Sequence, residues 1–352
     1  MTCKDGHPIR VVIFGVTGYT GMELIRILST HPRAAVVGGS SRSWAGKRAD
    51  DIFPFIPPAK SFPITTMDEL MKDPQADLAF LALPHGESAG CIRPLLEAGL
   101  KVVDLSADFR LSDAEVYAEW YGPHKAPDLL SRAVYGLPEI HREAVAGTDL
   151  TANPGCYPTT VILGLAPLLK DGRFDCTCPI VDSKSGISGA GRGAKLNTSF
   201  CEAGEGFKPY GVTRHRHIPE MEQELGKLAG RRIKVRFTPH LIPVSRGMVS
   251  TMYIPLRGEI SGDELRDLYV RYYEGEPFVT VLPRGAFPDT ARVRGSNQCH
   301  LSVEVDERTG LVIAMAALDN LTKGASGAAV QNMNVMMGLA ETEGLEGMPL
   351  FP

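Results

Sequence analysis

The sequence predicts an α/β protein of two domains: an N-terminal doubly wound parallel sheet, then a C-terminal α+β domain whose sheet is largely antiparallel. Three observations carry this. Ile9-Arg-Val-Val-Ile-Phe14 runs through Gly15-Val-Thr-Gly18-Tyr-Thr-Gly21 into an amphipathic stretch over residues 22–28, giving strand, glycine turn and helix in that order. Short apolar runs at 35–39, 78–83 and 101–105 follow at helix-length spacing, the alternation of a parallel sheet. Beyond residue 230, strand-like runs at 232–238, 248–255, 277–282, 299–305 and 311–317 succeed one another with few crossover helices, and Glu307-Arg-Thr-Gly310 reads as an antiparallel hairpin turn.

A chain of 352 residues, 43% hydrophobic and 22% charged, is long enough for two ordinary domains and too apolar to be disordered. Its net charge of −4 offers no general attraction to nucleic acid or to an anionic membrane, so small molecules are the expected partners. The seven cysteines, Cys3, Cys91, Cys156, Cys176, Cys178, Cys201 and Cys299, are odd in number and lack the spacing of a disulfide framework. Cys176-Thr-Cys178 is too tight for a zinc knuckle and has no second pair, so no metal site is expected. A reducing compartment follows. The first residues lack a signal-peptide pattern and no apolar run reaches membrane-spanning length, so the expected location is the cytoplasm.

Gly15, Gly18 and Gly21 would let the backbone turn tightly and approach a pyrophosphate at the helix N-terminus, with Thr17, Tyr19 and Thr20 completing the cradle. Their spacing is GxxGxxG rather than GxGxxG, and the same residues also read as a plain glycine turn. Where a NAD-specific site carries an acidic residue, this chain has Ser40, Ser41 and Arg42. Hydroxyls and a guanidinium suit a 2′-phosphate, which points to NADP(H); the competing reading is a solvated loop arginine. Pro84, His85 and Gly86 end the next strand at the edge where such sheets bind ligands, His85 reading equally as a structural loop histidine. In Asp104-Leu-Ser-Ala-Asp108-Phe-Arg110 the arginine is a candidate anion clamp, and the two aspartates read as backbone caps or substrate contacts.

Asn153-Pro-Gly-Cys156-Tyr-Pro158-Thr is the stretch around which the rest is organised. It reads as strand end, sharp turn and helix start, with Pro158 at the first helical position and a helix to about residue 170. A thiol at a helix N-terminus is biased toward thiolate, which makes Cys156 a candidate nucleophile as against a small buried hydrophobe. Residues 182–195 read as a long loop rich in hydroxyls, glycines and cations. There Ser185, Arg192 and Lys195 are candidates for substrate or phosphate and Ser188 and Gly189 for coenzyme, the alternative being a flexible linker. His215 and His217 stand two apart in a cationic turn before a helix, a spacing unsuited to a helical metal pair and suited to acid–base work or phosphate binding, the competing reading being structural histidines. Asn320 opens a segment that runs from loop into a small-residue helix expected to pack back on the first domain. Its amide carries both a donor and an acceptor for a nicotinamide. The domains are thus expected at 1–155 with 321–352, and at 156–320.

Taken together, these motifs, with Ser185-Gly-Ile-Ser-Gly-Ala-Gly-Arg192, His215-Arg-His-Ile-Pro-Glu220 and Asp319-Asn-Leu-Thr-Lys-Gly324, resemble the N-acetyl-γ-glutamyl-phosphate reductases, arginine-biosynthesis relatives of the aspartate-semialdehyde dehydrogenases. The resemblance runs over nearly the whole chain. It implies a Rossmann-type NADP domain, a substrate domain of the glyceraldehyde-3-phosphate-dehydrogenase kind, Cys156 as nucleophile, an acyl-phosphate substrate, and a homo-oligomer, dimer or tetramer. Aspartate-semialdehyde dehydrogenases have a histidine after a Pro-Val-x-x-Gly segment; here Met248 follows Pro243-Val-Ser-Arg-Gly247, which moves the acid–base role to His217 or His215. A reductase of carrier-protein-bound aminoadipyl phosphate, and a non-catalytic NADP-binding regulator, are the alternatives.

Overall fold

The computed structural model describes residues 7–350; Cys3 lies outside them. The chain divides into two compact units, residues 7–154 with Ala325–Glu346, and Gly155–Gly324 with residues 347–350. Gly155 therefore already belongs to the second unit, the chain returns to the first at Ala325 rather than 321, and the last residues stay with the second. There the Leu350 amide donates to Arg294 O at 2.8 Å.

The first unit is built on an eight-stranded sheet of β1 (Ile9–Phe14), β2 (Ala34–Ser40), β3 (Lys47–Arg48), β4 (Pro63–Thr65), β5 (Leu78–Leu81), β6 (Lys101–Asp104), β7 (Val134–Tyr135) and β8 (Leu150–Ala152). Their order is β3-β4-β2-β1-β5-β6-β8-β7, parallel throughout except for β3 on β4. Val11 to Phe14 and all of β5 are fully buried. Strands covered on both faces read as continuous apolar runs, which is why the sequence exposes them so plainly. The helix Gly327–Met336 packs against Tyr19–Leu28 and Pro138–Gly147, so the returning segment joins the first unit as expected. It is anchored by polar contacts, among them Ser326 Oγ to Thr20 O at 2.9 Å and Asn332 Nδ2 to Gly136 O at 2.8 Å. A Cβ on Gly136 would stand 2.5 Å from that same Nδ2, so only glycine fits.

The second unit holds a seven-stranded sheet of β9 (Ile180–Gly186), β10 (Lys208–Pro209), β11 (Arg236–Ile242), β12 (Met248–Pro255), β13 (Val279–Val281), β14 (Cys299–Asp306) and β15 (Leu311–Leu318), in the order β10-β11-β9-β12-β15-β14-β13. It is largely antiparallel; only β11 on β9 and β13 on β14 run parallel. The β14–β15 hairpin turns where Glu307-Arg-Thr-Gly310 predicts it. Two readings are corrected. The strand expected at 232–238 lies at Arg236–Ile242, and 182–186, read as the start of a loop, belong to the interior strand β9. Its inward positions include Ser183 and Ser185, whose hydroxyls hide a buried strand from any search for apolar alternation.

The helix Cys156–Leu165 crosses β12 and β15 on the inner face. Gly164 lets it approach, since a Cβ there would stand 2.3 Å from Met252 Cε. Beside that contact runs a chain of buried hydroxyls: Thr160 Oγ1 donates to Tyr157 O at 2.8 Å and lies 2.6 Å from Ser250 Oγ, which lies 2.7 Å from Ser183 Oγ.

Candidate active site

In the first unit, the glycine turn is fixed by sterics. Gly15 has φ +85°, and a Cβ on it would meet Ala82 O at 2.4 Å; one on Gly21 would meet Gly15 O at 2.3 Å. The turn is tied to the end of β2 by Gly15 N and Val16 N, both donating to Ser40 O, while Gly15 N also reaches Ser40 Oγ at 3.2 Å. Gly18 is the N-cap, with no side-chain cap, and a Cβ there would meet little. The first amides of the helix Tyr19–Leu28 thus face outward over an open glycine, which fits an anionic pyrophosphate. Thr17 Oγ1 lies 3.3 Å from Ser41 Oγ. Arg42, with its side chain 81% exposed, is paired with Glu87 at 2.6 Å.

At the C-terminal edge of the same sheet, Pro84-His85-Gly86 is a fixed loop. His85 Nδ1 accepts from Ala107 N at 3.0 Å, and Gly86, at φ +83°, donates its amide to Asp108 Oδ1 at 2.7 Å. Asp104 and Asp108 are fully buried backbone caps, and burial, then the neighbouring Asp108, pushes the Asp104 carboxyl up to about 6. Arg110 Nε donates to Asn153 O at 2.8 Å and its Nη2 to Leu105 O at 2.9 Å, so these two nitrogens staple the ends of β6 and β8. Carbonyls clustered at parallel strand ends are the acceptors such a fork matches.

In the second unit, Cys156 is itself the first helical residue, two positions earlier than Pro158 suggests, and the α-helix ends at Leu165 with a 3₁₀ turn over Ala166–Leu168. The N-cap is Gly155, without a side-chain cap. Its amide donates instead to Glu220 Oε1 at 2.7 Å, from a carboxylate only 1% exposed. Glu220 lies in the first turn of the helix Ile218–Ala229, whose N-cap is His217. Two helix N-termini therefore meet beside the thiol, with one buried carboxylate between them. Gly324 closes the other side: a Cβ there would stand 2.8 Å from Cys156 Cβ. Neither Glu220 nor Gly324 was legible as a site residue. A glutamate after proline reads as an ordinary helix start, and Gly324 carried only its place in the Asp319–Gly324 motif.

The two histidines separate by environment. Tyr157 presents its ring edge-on to both, with centroids 5.5 Å from His215 and 6.0 Å from His217. His215 is boxed by Tyr157, Tyr210 and Phe237, its Nδ1 accepts from His217 N at 3.2 Å, and burial, then Arg216, pushes its pKa from 6.5 down to about 4. Burial thus favours the neutral form of His215, and its Nδ1 is taken by the His217 amide, so His217 is the candidate carried forward for the acid–base role. Because the folded value lies below the unfolded one, this box contributes stability above pH 6.5 that is lost as pH falls toward 4, about 3 kcal/mol in all. His215→Phe should flatten that acid loss, read as the melting temperature against pH. A slope like that of the unsubstituted protein would contradict it.

The remaining candidates fall into two groups. Ser185, Ser188, Gly189 and Asn320 come together: Asn320 Nδ2 donates to Ser188 Oγ at 2.9 Å, and a Cβ on Gly189 would meet Ser185 Oγ at 3.1 Å. Asn320 Oδ1, however, accepts from Gly247 N at 2.8 Å, so the amide offered for a nicotinamide already has its acceptor engaged. Next to it Asp319, fully buried, pairs with Arg246 at 3.0 Å. Arg192 and Lys195 lie on the exposed stretch after β9, and Lys195 Nζ reaches Ala190 O at 3.4 Å.

Residues 10–148 match the model of the semialdehyde dehydrogenase NAD binding domain and residues 156–320 that of the semialdehyde dehydrogenase dimerisation domain. The chain is 53% identical over 346 residues to an N-acetyl-gamma-glutamyl-phosphate reductase of Pelobacter propionicus, covering 98% of this chain and 100% of that one. It is 52% identical over 347 residues to the enzyme of that name from Moorella thermoacetica, with the same coverage. The fold is that of aspartate semialdehyde dehydrogenase II from Vibrio cholerae, with TM-score 0.72 and 19% identity over 95% of this chain and 99% of that one. The Candida albicans enzyme solved with NADP superposes with TM-score 0.70 and 18% identity over 94% of this chain and 98% of that one.

Proposed function

The chain belongs to the N-acetyl-gamma-glutamyl-phosphate reductase family, and from that premise we propose that it reduces N-acetyl-L-glutamyl 5-phosphate to N-acetyl-L-glutamate 5-semialdehyde, consuming NADPH and releasing phosphate, as a step of arginine biosynthesis. The observation that carries the proposal is the thiol of Cys156 at the meeting of two helix N-termini. The partial positive charge at the N-terminus of the helix that carries the thiol favours a thiolate, while Glu220 answers the end of the second helix.

His217 takes the proton of the Cys156 thiol, the thiolate attacks the acyl carbon, the carbon–oxygen bond to phosphate breaks, and a thioester forms on the enzyme. NADPH, when bound, supplies the hydride. The thiohemiacetal oxygen formed on Cys156 takes its proton from His217, which withdraws it again as the aldehyde leaves and the thiolate is restored. Glu220 holds the Gly155 amide and so orients the turn that carries the thiol. His215 keeps His217 in place through the His217 amide, and the glycine turn with Ser41 and Arg42 takes the pyrophosphate and 2′-phosphate of the coenzyme. Phosphate-dependent reduction of NADP by the purified protein, with N-acetylglutamate semialdehyde as substrate, tests the reaction in reverse. Coenzyme binding without turnover would transfer the proposal to a carrier-bound aminoadipyl substrate.

Nothing among the described residues forms a helix long and apolar enough to cross a membrane. The protein acts on a small molecule in the cytoplasm, as two copies paired through the outer face of the second sheet. On that face Thr251 and Tyr253 of β12 stand beside Ile313 and Met315 of β15, a half-apolar surface bordered by the Asp182–Lys184 and Asp182–His240 pairs. Tyr253→Asp places a charge in its middle and is expected to give monomers in sedimentation velocity; an unchanged oligomer would put the interface elsewhere.

A further inference from the structure

Arg42 is where a 2′-phosphate would be recognised, yet its guanidinium already has an anion. Its Nη2 lies 2.6 Å from Glu87 Oε2. The two partners are not equally mobile. Arg42 has its side chain 81% exposed, whereas Glu87 has 30% and sits on a loop pinned at several points. The Glu87 amide donates to Pro84 O at 3.2 Å, Gly86 N is held by Asp108, Lys125 Nζ donates to Gly86 O, and the His85 ring accepts from Ala107 N. The backbone that carries the carboxylate is thus fixed by the fold, and the far more exposed arginine is the arm with room to swing.

We propose that Glu87 sets coenzyme specificity through Arg42, acting as an internal competitor for the guanidinium that recognises the 2′-phosphate. This rests on the NADPH reading above. A phosphate that takes Arg42 must break the pair and leave the carboxylate beside it without its cation, so Glu87 weakens NADPH and leaves NADH, which has no group at that position, untouched. The effect is modest because exposed ion pairs contribute little; a factor of about three to five is expected. The arrangement keeps the phosphate-bearing coenzyme from binding too tightly to leave, without removing the preference for it.

The test is coenzyme affinity, read from the fluorescence of bound NADPH and NADH with the full-length protein and no substrate. The proteins compared are the unsubstituted chain, Glu87→Gln, Arg42→Gln and the double variant. Glu87→Gln should tighten NADPH about three- to fivefold and leave NADH unchanged, and in the Arg42→Gln background the same substitution should do nothing further. Equal tightening of both coenzymes, or none, overturns the proposal. So does a gain that persists without Arg42, which would mean direct repulsion between carboxylate and phosphate. Arg42→Gln weakening both coenzymes alike would instead remove the 2′-phosphate reading on which the proposal stands. Selective loss of NADPH in that variant, with no effect of Glu87→Gln, would leave that reading intact and sink this one alone.

Discussion

Cys156→Ser should abolish reductive turnover, by roughly 10⁴- to 10⁶-fold in kcat, the scale on which removing a covalent nucleophile is felt. Serine keeps the shape of the side chain and its place at the first helical position. What it loses is acidity. A helix N-terminus can favour a thiolate at neutral pH, but a hydroxyl starts from a far higher pKa and remains protonated there. The glycine turn and Arg42 belong to the other unit of the chain and are not touched, so NADPH affinity should stay within about twofold. The pair of readings matters: turnover lost with coenzyme binding kept assigns the chemistry to the thiol. Turnover within tenfold of the unsubstituted protein would remove Cys156 from the mechanism.

Gly324→Ala should cost about 10²-fold in kcat, though residue 324 touches no substrate in this reading. The added Cβ would stand 2.8 Å from Cys156 Cβ, 3.1 Å from Leu318 Cδ1 and 3.3 Å from Asp319 O. Asp319 is fully buried and fixed by Arg246, Gly295 N and two amides of its own segment, so it does not yield. The thiol must move instead, and a displacement near 1 Å in a reacting group is worth about that factor. The strain also costs stability, about 1–3 kcal/mol as for other overpacked sites. A stopped assay and a melting curve on the same preparation separate the two effects. A folded variant with unchanged kcat would show that the backbone at 324 gives way and that the contact has no bearing on the nucleophile.

The parts of the fold that were legible are those in which burial and composition agree. β1 and β5 are buried on both faces and contain little except aliphatic residues, so they announce themselves. β9 is buried on one face only and carries Ser183 and Ser185 inward on it, and a hydroxyl such as that of Ser183, satisfied by another hydroxyl, leaves no trace in an apolar pattern. In the candidate site, residue type and spacing single out Cys156 and the histidine pair, and the structure brings the ring of Tyr157 against both histidines. The difference between the two is not legible in the sequence, because the burial of His215 comes from the walls around it rather than from its neighbours along the chain. Arg110 has a second role that its position at a strand end does not reveal: it donates to the carbonyls of Leu105 and Asn153. Glu220 was hidden because its partner, Gly155, is distant in sequence and contributes only a backbone amide.

The hydroxyl chain from Thr160 through Ser250 to Ser183 bears on how accurately the thiol can be placed. An apolar contact between a helix and a sheet resists sliding only through the fit of its side chains, in which one aliphatic group can stand in for another at modest cost. Hydroxyls are not interchangeable in that way. A slip of about 1.5 Å, one residue's rise, would strand buried donors and acceptors at about 1–3 kcal/mol each. The chain therefore works as an axial stop: the depth of the nucleophile is gauged one turn below it, at residues that never meet the reaction.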